Sequence, residues 1–360
     1  MRTPFILFFG IFVVMALSNA VVPVLPAYAD SSSVQGAIYS AYFLGALVST
    51  LPGGILSDRF GRMTMMKAGL AMTVISGILL TFALLPGPVL VLRLAEGIGA
   101  GFFVAAAMSC VNSRPDHARM SGYFMALLNA GLVLGLVCSG WLSTAMAYPQ
   151  AGVLAFTCLA IIPALVSLSL RDRGERVAKT FDYAFFRTLL REYRWLWLSS
   201  VILVGITGVA SSLYPKFSGL PADILGIWIG GMSVATIIAV LLITRFSLPP
   251  IATIRCSAVL MALGAILSFY TPLGLMLLGA VAGIVMIAQM AFLAGIKGHQ
   301  GLVMGVFSTT SYLGMALLPV LAGVVADEAG FFAAFCAAAA CGLVVLVTIG
   351  RCTSCTKLCR

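Results

Sequence analysis

Charge is what this sequence has least of. Only 9% of its 360 residues are Asp, Glu, Lys or Arg, where soluble domains carry about 25%. With 61% apolar residues and a mean hydropathy of +1.11, the chain lacks the polar surface of a water-soluble fold. Long polar stretches are missing too. Twelve membrane helices of roughly 20 residues take up about 240, and the remainder holds no catalytic or nucleic-acid-binding domain of ordinary size. There is no Gly-Lys-Ser/Thr phosphate loop, so the chain has no built-in ATP site. The two histidines, His117 and His299, lie in separate polar loops, and no nucleophile–base pair falls in the apolar runs. Neither a metal site nor a cofactor nor an enzyme is expected. Six of the nine cysteines (Cys110, Cys138, Cys158, Cys256, Cys336, Cys341) sit inside apolar runs, where cysteine acts as a small hydrophobe rather than a disulfide partner.

What is present is a series of continuous apolar runs, near 5–25, 34–56, 66–85, 89–111, 120–146, 151–170, 196–214, 224–244, 252–270, 273–295, 301–326 and 331–350. The runs are continuous rather than alternating, which excludes a β-barrel. In lipid each must then be a helix, because nothing there satisfies an open backbone. The net charge of +10 tests the count. With the N-terminus inside, the inner loops collect Arg2, Arg59, Arg62, Lys67, Arg114, Arg119, Arg171, Arg173, Arg176, Lys179, Arg187, Arg191, Arg194, Arg245, Arg255, Lys297, Arg351, Lys357 and Arg360. Only Lys216 falls outside and only Arg93 within a span. This alternation predicts both termini in the cytoplasm of a cell-membrane protein. The first run also resembles a signal peptide at Ala16-Leu17-Ser18-Asn19-Ala20, but its apolar character continues through Val24, so it reads as a resident span.

The longest polar stretch, 171–195, separates two sets of six spans. The expected organisation is a six-helix bundle over 1–170, a cytoplasmic linker over 171–195, a second bundle over 196–350 and a cytoplasmic tail over 351–360. Phe181, Tyr183, Phe185 and Phe186 among bases in the linker suit an amphipathic segment on an anionic leaflet; a solvated linker fits equally. In the tail, Cys352 and Cys355 form a lone C-x-x-C, which without a second pair reads as inert. The halves echo one another. Gly122, Gly131, Leu136 and Gly140 in span five match Gly305, Gly314, Pro319 and Gly323 in span eleven at one offset. Asp58-Arg59-Phe60-Gly61 after span two is echoed by Thr244-Arg245-Phe246-Ser247 after span eight. Duplicated six-helix bundles are the architecture of many secondary transporters, with substrate bound near the midplane between repeats.

The sharpest motif is Gly54-Ile55-Leu56-Ser57-Asp58-Arg59-Phe60-Gly61-Arg62 at the cytoplasmic end of span two. Gly54 lets another helix approach, Asp58 can face the amino end of span eleven, Gly61 permits a tight turn, and Arg59 and Arg62 can pair with carboxylates or lipid phosphates. The run resembles the loop motif of the major facilitator superfamily, Gly, any residue, Leu, small, Asp, Arg, any residue, Gly, Arg. The resemblance implies an all-α membrane protein of twelve transmembrane helices in two six-helix pseudo-repeats. It implies alternating access, with Gly54, Asp58, Arg59, Gly61 and Arg62 as a latch on the cytoplasmic side.

Span four carries Arg93-Leu94-Ala95-Glu96-Gly97-Ile98-Gly99-Ala100-Gly101, similar to the family's fourth-helix motif. Arg93 and Glu96 lie on one helix face and can neutralise each other. Burial favours the neutral form of Glu96, and Arg93 favours the charged form. Two readings stand, a proton carrier and a static pair. Gly97 and Gly101 suit close helix packing. In span five, Gly131, Gly135 and Gly140 resemble the antiporter motif, with Leu136 and Ser139 in place of its Pro and Gly; they suit packing of span five on span eight. Asn19 to Pro26 and Ser40-Ala41-Tyr42 resemble the opening of the drug:proton antiporter branch, although no acid precedes Asp30.

Asn19, Tyr39, Tyr42, Asn129, Gln289, Ser308, Thr309 and Tyr312 are substrate-pocket candidates at mid-span. With so few charges they fit a neutral, lipophilic or weakly cationic molecule. The expected function is proton-coupled efflux of small, mostly apolar molecules by a monomer in contact with lipid. The alternatives are a facilitator or symporter of a small metabolite, or a lipid-handling transporter-like protein.

Overall fold

A computed structural model describes residues 2–83, 85–112, 116–169, 183–246, 249–296 and 300–351. Among them every regular element is a helix. The basic run Arg171 to Lys179, Arg114, Lys297, His299 and the cysteines of the tail lie outside the described residues.

In chain order the helices are α1 (Arg2–Ala20), α2 (Ser32–Phe60), α3 (Arg62–Phe82), α4 (Pro86–Asn112), α5 (His117–Ala145), α6 (Ala151–Leu168), α7 (Tyr183–Glu192), α8 (Arg194–Ser218), α9 (Ala222–Ile243), α10 (Pro250–Tyr270), α11 (Leu273–Ala294) and α12 (Gln300–Thr348). Ten stretches among the described residues are long and apolar enough to cross a membrane. The 49-residue α12 is broken at Gly330, where φ is +87°, so it supplies spans eleven and twelve. The 29-residue α2 completes the twelve. The first span differs from expectation at its end. The α-helix stops at Ala20 and continues as a 3-10 segment, Val22–Ala27, because Pro23 and Pro26 bring no amide hydrogen to the α ladder. The linker ends in α7, whose Leu189 is buried and whose Tyr183, Arg187 and Arg191 are exposed.

Compactness divides the described chain into two units. One comprises residues 1–30, 37–179 and 218–230; the other comprises 31–36, 180–217 and 231–360. In the first, α1 packs on α5 and α6, and α3 on α4 and α6; its core joins Ile6, Leu7 and Ile11 of α1 to Met66, Leu70, Phe103 and Phe124. The deep burial of α1 is what a resident span requires. In the second unit, α10 packs on α11 and α12.

The glycine repeat has a packing cause. In the first unit a Cβ on Gly131 would overlap the Phe12 carbonyl of α1, and one on Gly140 would overlap the Ala222 carbonyl at the start of α9. In the second unit the matching Gly314 meets the Val201 carbonyl of α8, and Gly323 the Ser32 carbonyl at the start of α2. Each repeat therefore brings span five or eleven into backbone contact with two partners in the same way. Gly131→Leu and Gly314→Leu are each expected to cost about 1–3 kcal/mol through overpacking. A thermal-unfolding scan in detergent should show both midpoints lowered; an unchanged midpoint would contradict the close approach.

Candidate functional site

Among the described residues, one salt bridge is fully enclosed. It lies in α4, where Arg93 and Glu96 are three residues apart and so share a face. Arg93 Nη1 donates to Glu96 Oε2 at 2.7 Å, with side-chain exposures of 1% and 0%. Burial of charge is tolerated here because the two groups neutralise each other; each alone would cost several kcal/mol. The pair is incompletely satisfied. Arg93 Nε and Glu96 Oε1 are buried with no hydrogen-bond partner among the described residues.

The surroundings follow from glycine. A Cβ on Gly97, next to Glu96, would overlap the carbonyl oxygen of Tyr42 in α2; one on Gly45 would overlap the Leu94 carbonyl, and one on Gly101 the hydroxyl of Ser49. These glycines let α2 and α4 touch along their backbones. The contact sets the Tyr42 ring over the guanidinium, with Arg93 Cζ 4.7 Å from the ring centroid. A desolvated cation on an aromatic face gains roughly 2 kcal/mol. The reading of α4 as a paired, glycine-packed helix thus extends to Tyr42. Sequence reasoning placed Tyr42 only in a general pocket. Tyr28 was missed altogether. It is 2% exposed, lies within electrostatic reach of both Arg93 and Glu96, and donates to the Leu80 carbonyl at 3.4 Å. Nothing local in the sequence marks it.

The other candidates divide between the two units. In the first, Asn19 Nδ2 donates across to the Leu132 carbonyl of α5 at 3.1 Å, and Tyr39 is buried against Phe43. Asn129 is bonded to Met125 in its own helix. In the second, Gln289 of α11 is fully buried and donates to the Ser199 hydroxyl of α8 at 3.0 Å, while its Oε1 has no partner among the described residues. Thr309 returns its hydroxyl to the Gly305 carbonyl. Ser308 and Tyr312 sit on the same helix, partly buried. A cavity of about 270 Å³ is lined by Phe185, Thr188, Leu189, Glu192, Tyr193 and residues 295–296. None of the sequence candidates lines it; it forms where α7 covers the end of α11.

One packing expectation needs correction. Gly131 and Gly135 face α1, not α9, since Cβ atoms there would meet the Phe12 and Ala16 carbonyls; Gly140 alone reaches α9. Gly54 has no atom within 4 Å of its Cβ position among the described residues. Gly61 turns the chain between α2 and α3 with φ +100°, a conformation that strains residues with a Cβ. Arg59 is exposed, its guanidinium 5.5 Å from the Phe60 ring. The side chain of Asp58 lies outside the described residues.

Residues 7–295 match the model of the Major Facilitator Superfamily. Multidrug resistance protein 2 of Bacillus subtilis (strain 168) is 24% identical over 353 residues, covering 89% of this chain and 88% of that protein. Quinolone resistance protein NorA of Staphylococcus aureus (strain MSSA476) is 25% identical over 227 residues, covering 60% of this chain and 57% of NorA. The fold matches crystal structures of the nucleoside transporter NupG, with a TM-score of 0.76 at 12% identity over 98% of this chain and 99% of that one. It also matches the human organic anion transporter MFSD10 (TETRAN), with a TM-score of 0.65 at 16% identity over 97% and 99%. Helical architecture, repeat and motifs converge with these likenesses: the chain belongs to the Major Facilitator Superfamily and is an integral membrane transporter, not an enzyme.

Proposed function

We propose that this transporter exports small, mostly apolar molecules in exchange for protons, with Glu96 as the proton-carrying group and Arg93 as its buried counter-charge. The observation that carries the proposal is the enclosed pair with one carboxylate oxygen unbonded among the described residues. Oε1 is the atom free to take a proton. Protonation turns a neutral pair into a lone buried guanidinium, which a dry interior disfavours. Proton uptake is therefore favoured only where water or another partner reaches Arg93. That requirement ties protonation to a change of conformation. Tyr42 supplies part of the compensation by offering its ring to the cation. The names of the two bacterial relatives, a multidrug and a quinolone resistance protein, support export as the direction. The sparse charge of the candidate pocket supports an apolar or weakly cationic cargo.

In this reading the protein works as a monomer in the cell membrane with both termini cytoplasmic. Gly54, Asp58, Arg59, Gly61 and Arg62 form its cytoplasmic latch. The test is transport in proteoliposomes under an imposed pH gradient, with a panel of lipophilic cations and neutral metabolites. Wild-type flux should follow the gradient, and Glu96→Gln should lose the dependence. The closed 2.7 Å geometry of the pair favours one rival, a facilitator or symporter in which the pair is static. Flux indifferent to the gradient and retained by Glu96→Gln would establish that rival.

A further inference from the structure

The short helix α7 presents two faces of different chemistry. At roughly 100° per residue, Phe185, Thr188, Leu189 and Glu192 fall on one side. They line the cavity of about 270 Å³ at the end of α11, together with Tyr193 and residues 295–296. This side is tied down. Leu189 and Tyr193 are buried. Trp197 Nε1 of α8 donates to the Leu189 carbonyl at 3.1 Å. The Tyr193 ring meets Phe292 of α11 edge to face, with centroids 5.8 Å apart. α7 is thus packed on the helices of its own unit.

The opposite side carries Tyr183, Arg187, Leu190 and Arg191, which share roughly 100° of arc. All four are exposed. Arg194 stands exposed just beyond, at the start of α8, with its guanidinium 5.0 Å from the Trp195 ring. Charge is sorted between the faces. The one acid of α7, Glu192, is on the cavity side, and both of its arginines are on the outer side. Among the described residues none of the three arginines is in an ion pair. The outer face also holds apolar surface that water disfavours: Tyr183 is 77% and Leu190 39% exposed.

We propose that this outer face docks on anionic phospholipid headgroups of the leaflet that borders it. Position favours lipid over other anions. Only Tyr193 separates α7 from α8, which is long and apolar enough to span the membrane, so Arg187 and Arg191 lie within about two helical turns of the apolar region. Composition favours it too. Arginines flanked by a tyrosine and a leucine match the boundary between headgroups and chains, where guanidinium groups meet phosphate and rings meet hydrocarbon. A dissolved phosphate or an acidic peptide would engage the arginines and leave Tyr183 and Leu190 in water. The acid-free face completes the match, since no carboxylate of α7 opposes the lipid charge. Because α7 is held on α8 and α11, the leaflet's charge is felt by the second unit. The inference does not depend on the cargo or on proton coupling.

The experiment is hydrogen–deuterium exchange with mass spectrometry on the full chain, in nanodiscs of phosphatidylcholine with and without phosphatidylglycerol. Phosphatidylglycerol should slow exchange over 183–192 by roughly fivefold for each arginine engaged, and added salt should reverse the slowing. The double variant Arg187→Gln/Arg191→Gln should lose the lipid effect. Arg245→Gln, at an exposed arginine outside α7, should keep it. Peptides of α8 around Leu203 and Ile206, both buried, report global stability. Equal exchange over 183–192 in the two lipids overturns the docking and leaves a solvated helix. So does slowing that persists in the double variant, or that the α8 peptides share equally. An equal slowing by inorganic phosphate in phosphatidylcholine alone assigns the face to a soluble anion and overturns it as well. Should the double variant fail to fold, the wild type decides, since slowing that resists salt contradicts a charge-driven contact.

Discussion

Glu96→Gln and Arg93→Gln, made singly, are each expected to destabilise the folded protein, and the double substitution to recover most of the loss. Breaking a buried pair costs about 3–5 kcal/mol, whereas replacing both members is often close to neutral. The two single variants should not be equal. Arg93→Gln leaves a carboxyl that can take up a proton and become neutral. Glu96→Gln leaves a guanidinium that cannot lose its charge, beside the Tyr42 ring 4.7 Å away. Glu96→Gln should therefore be the more harmful, and Tyr42→Ala should harm it further. A double-mutant cycle on thermal or denaturant unfolding measures the coupling directly. Additive single effects would mean that the two side chains do not act as a pair.

The second large effect is expected at Gly97. A Leu there must displace the Tyr42 carbonyl and the Ala46 amide on the facing turn of α2, and these backbone atoms cannot rotate aside. Overpacking of this kind costs about 3 kcal/mol or more, and the separation would also lift the Tyr42 ring from Arg93. Loss of folded protein and of transport should coincide. Gly122→Leu is the matched control, because no atom among the described residues lies within 4 Å of its Cβ position. It should keep wild-type stability to within about 0.5 kcal/mol. Equal yields of the two variants, read by size-exclusion chromatography and unfolding midpoint, would contradict the packing of α4 on α2.

The spans were legible because lipid admits so few backbone solutions: an apolar run of 20 residues has to be a helix. The Arg93–Glu96 pair was legible for a similar reason, since two opposite charges three residues apart in such a run have no better partner than each other. The glycine repeat was legible as a pattern, but not the neighbours of each glycine. The small residues of span five were expected to suit packing on span eight, yet Gly131 and Gly135 face α1. Spacing tells which residues share a face and is silent on what the face meets. The 3-10 turn of Val22–Ala27 was foreshadowed by two prolines within an apolar run and was overlooked because hydropathy does not register them.

The central claim is that Glu96 moves protons against cargo. It is tested most directly by sealing a pH-sensitive dye inside proteoliposomes and adding a transported lipophilic cation with no pH gradient imposed. Wild type should move protons opposite to the cargo, in proportion to the cargo taken up, while Glu96→Gln moves cargo without a pH change. Proton movement that persists in Glu96→Gln, or cargo movement with no proton movement in wild type, would contradict it.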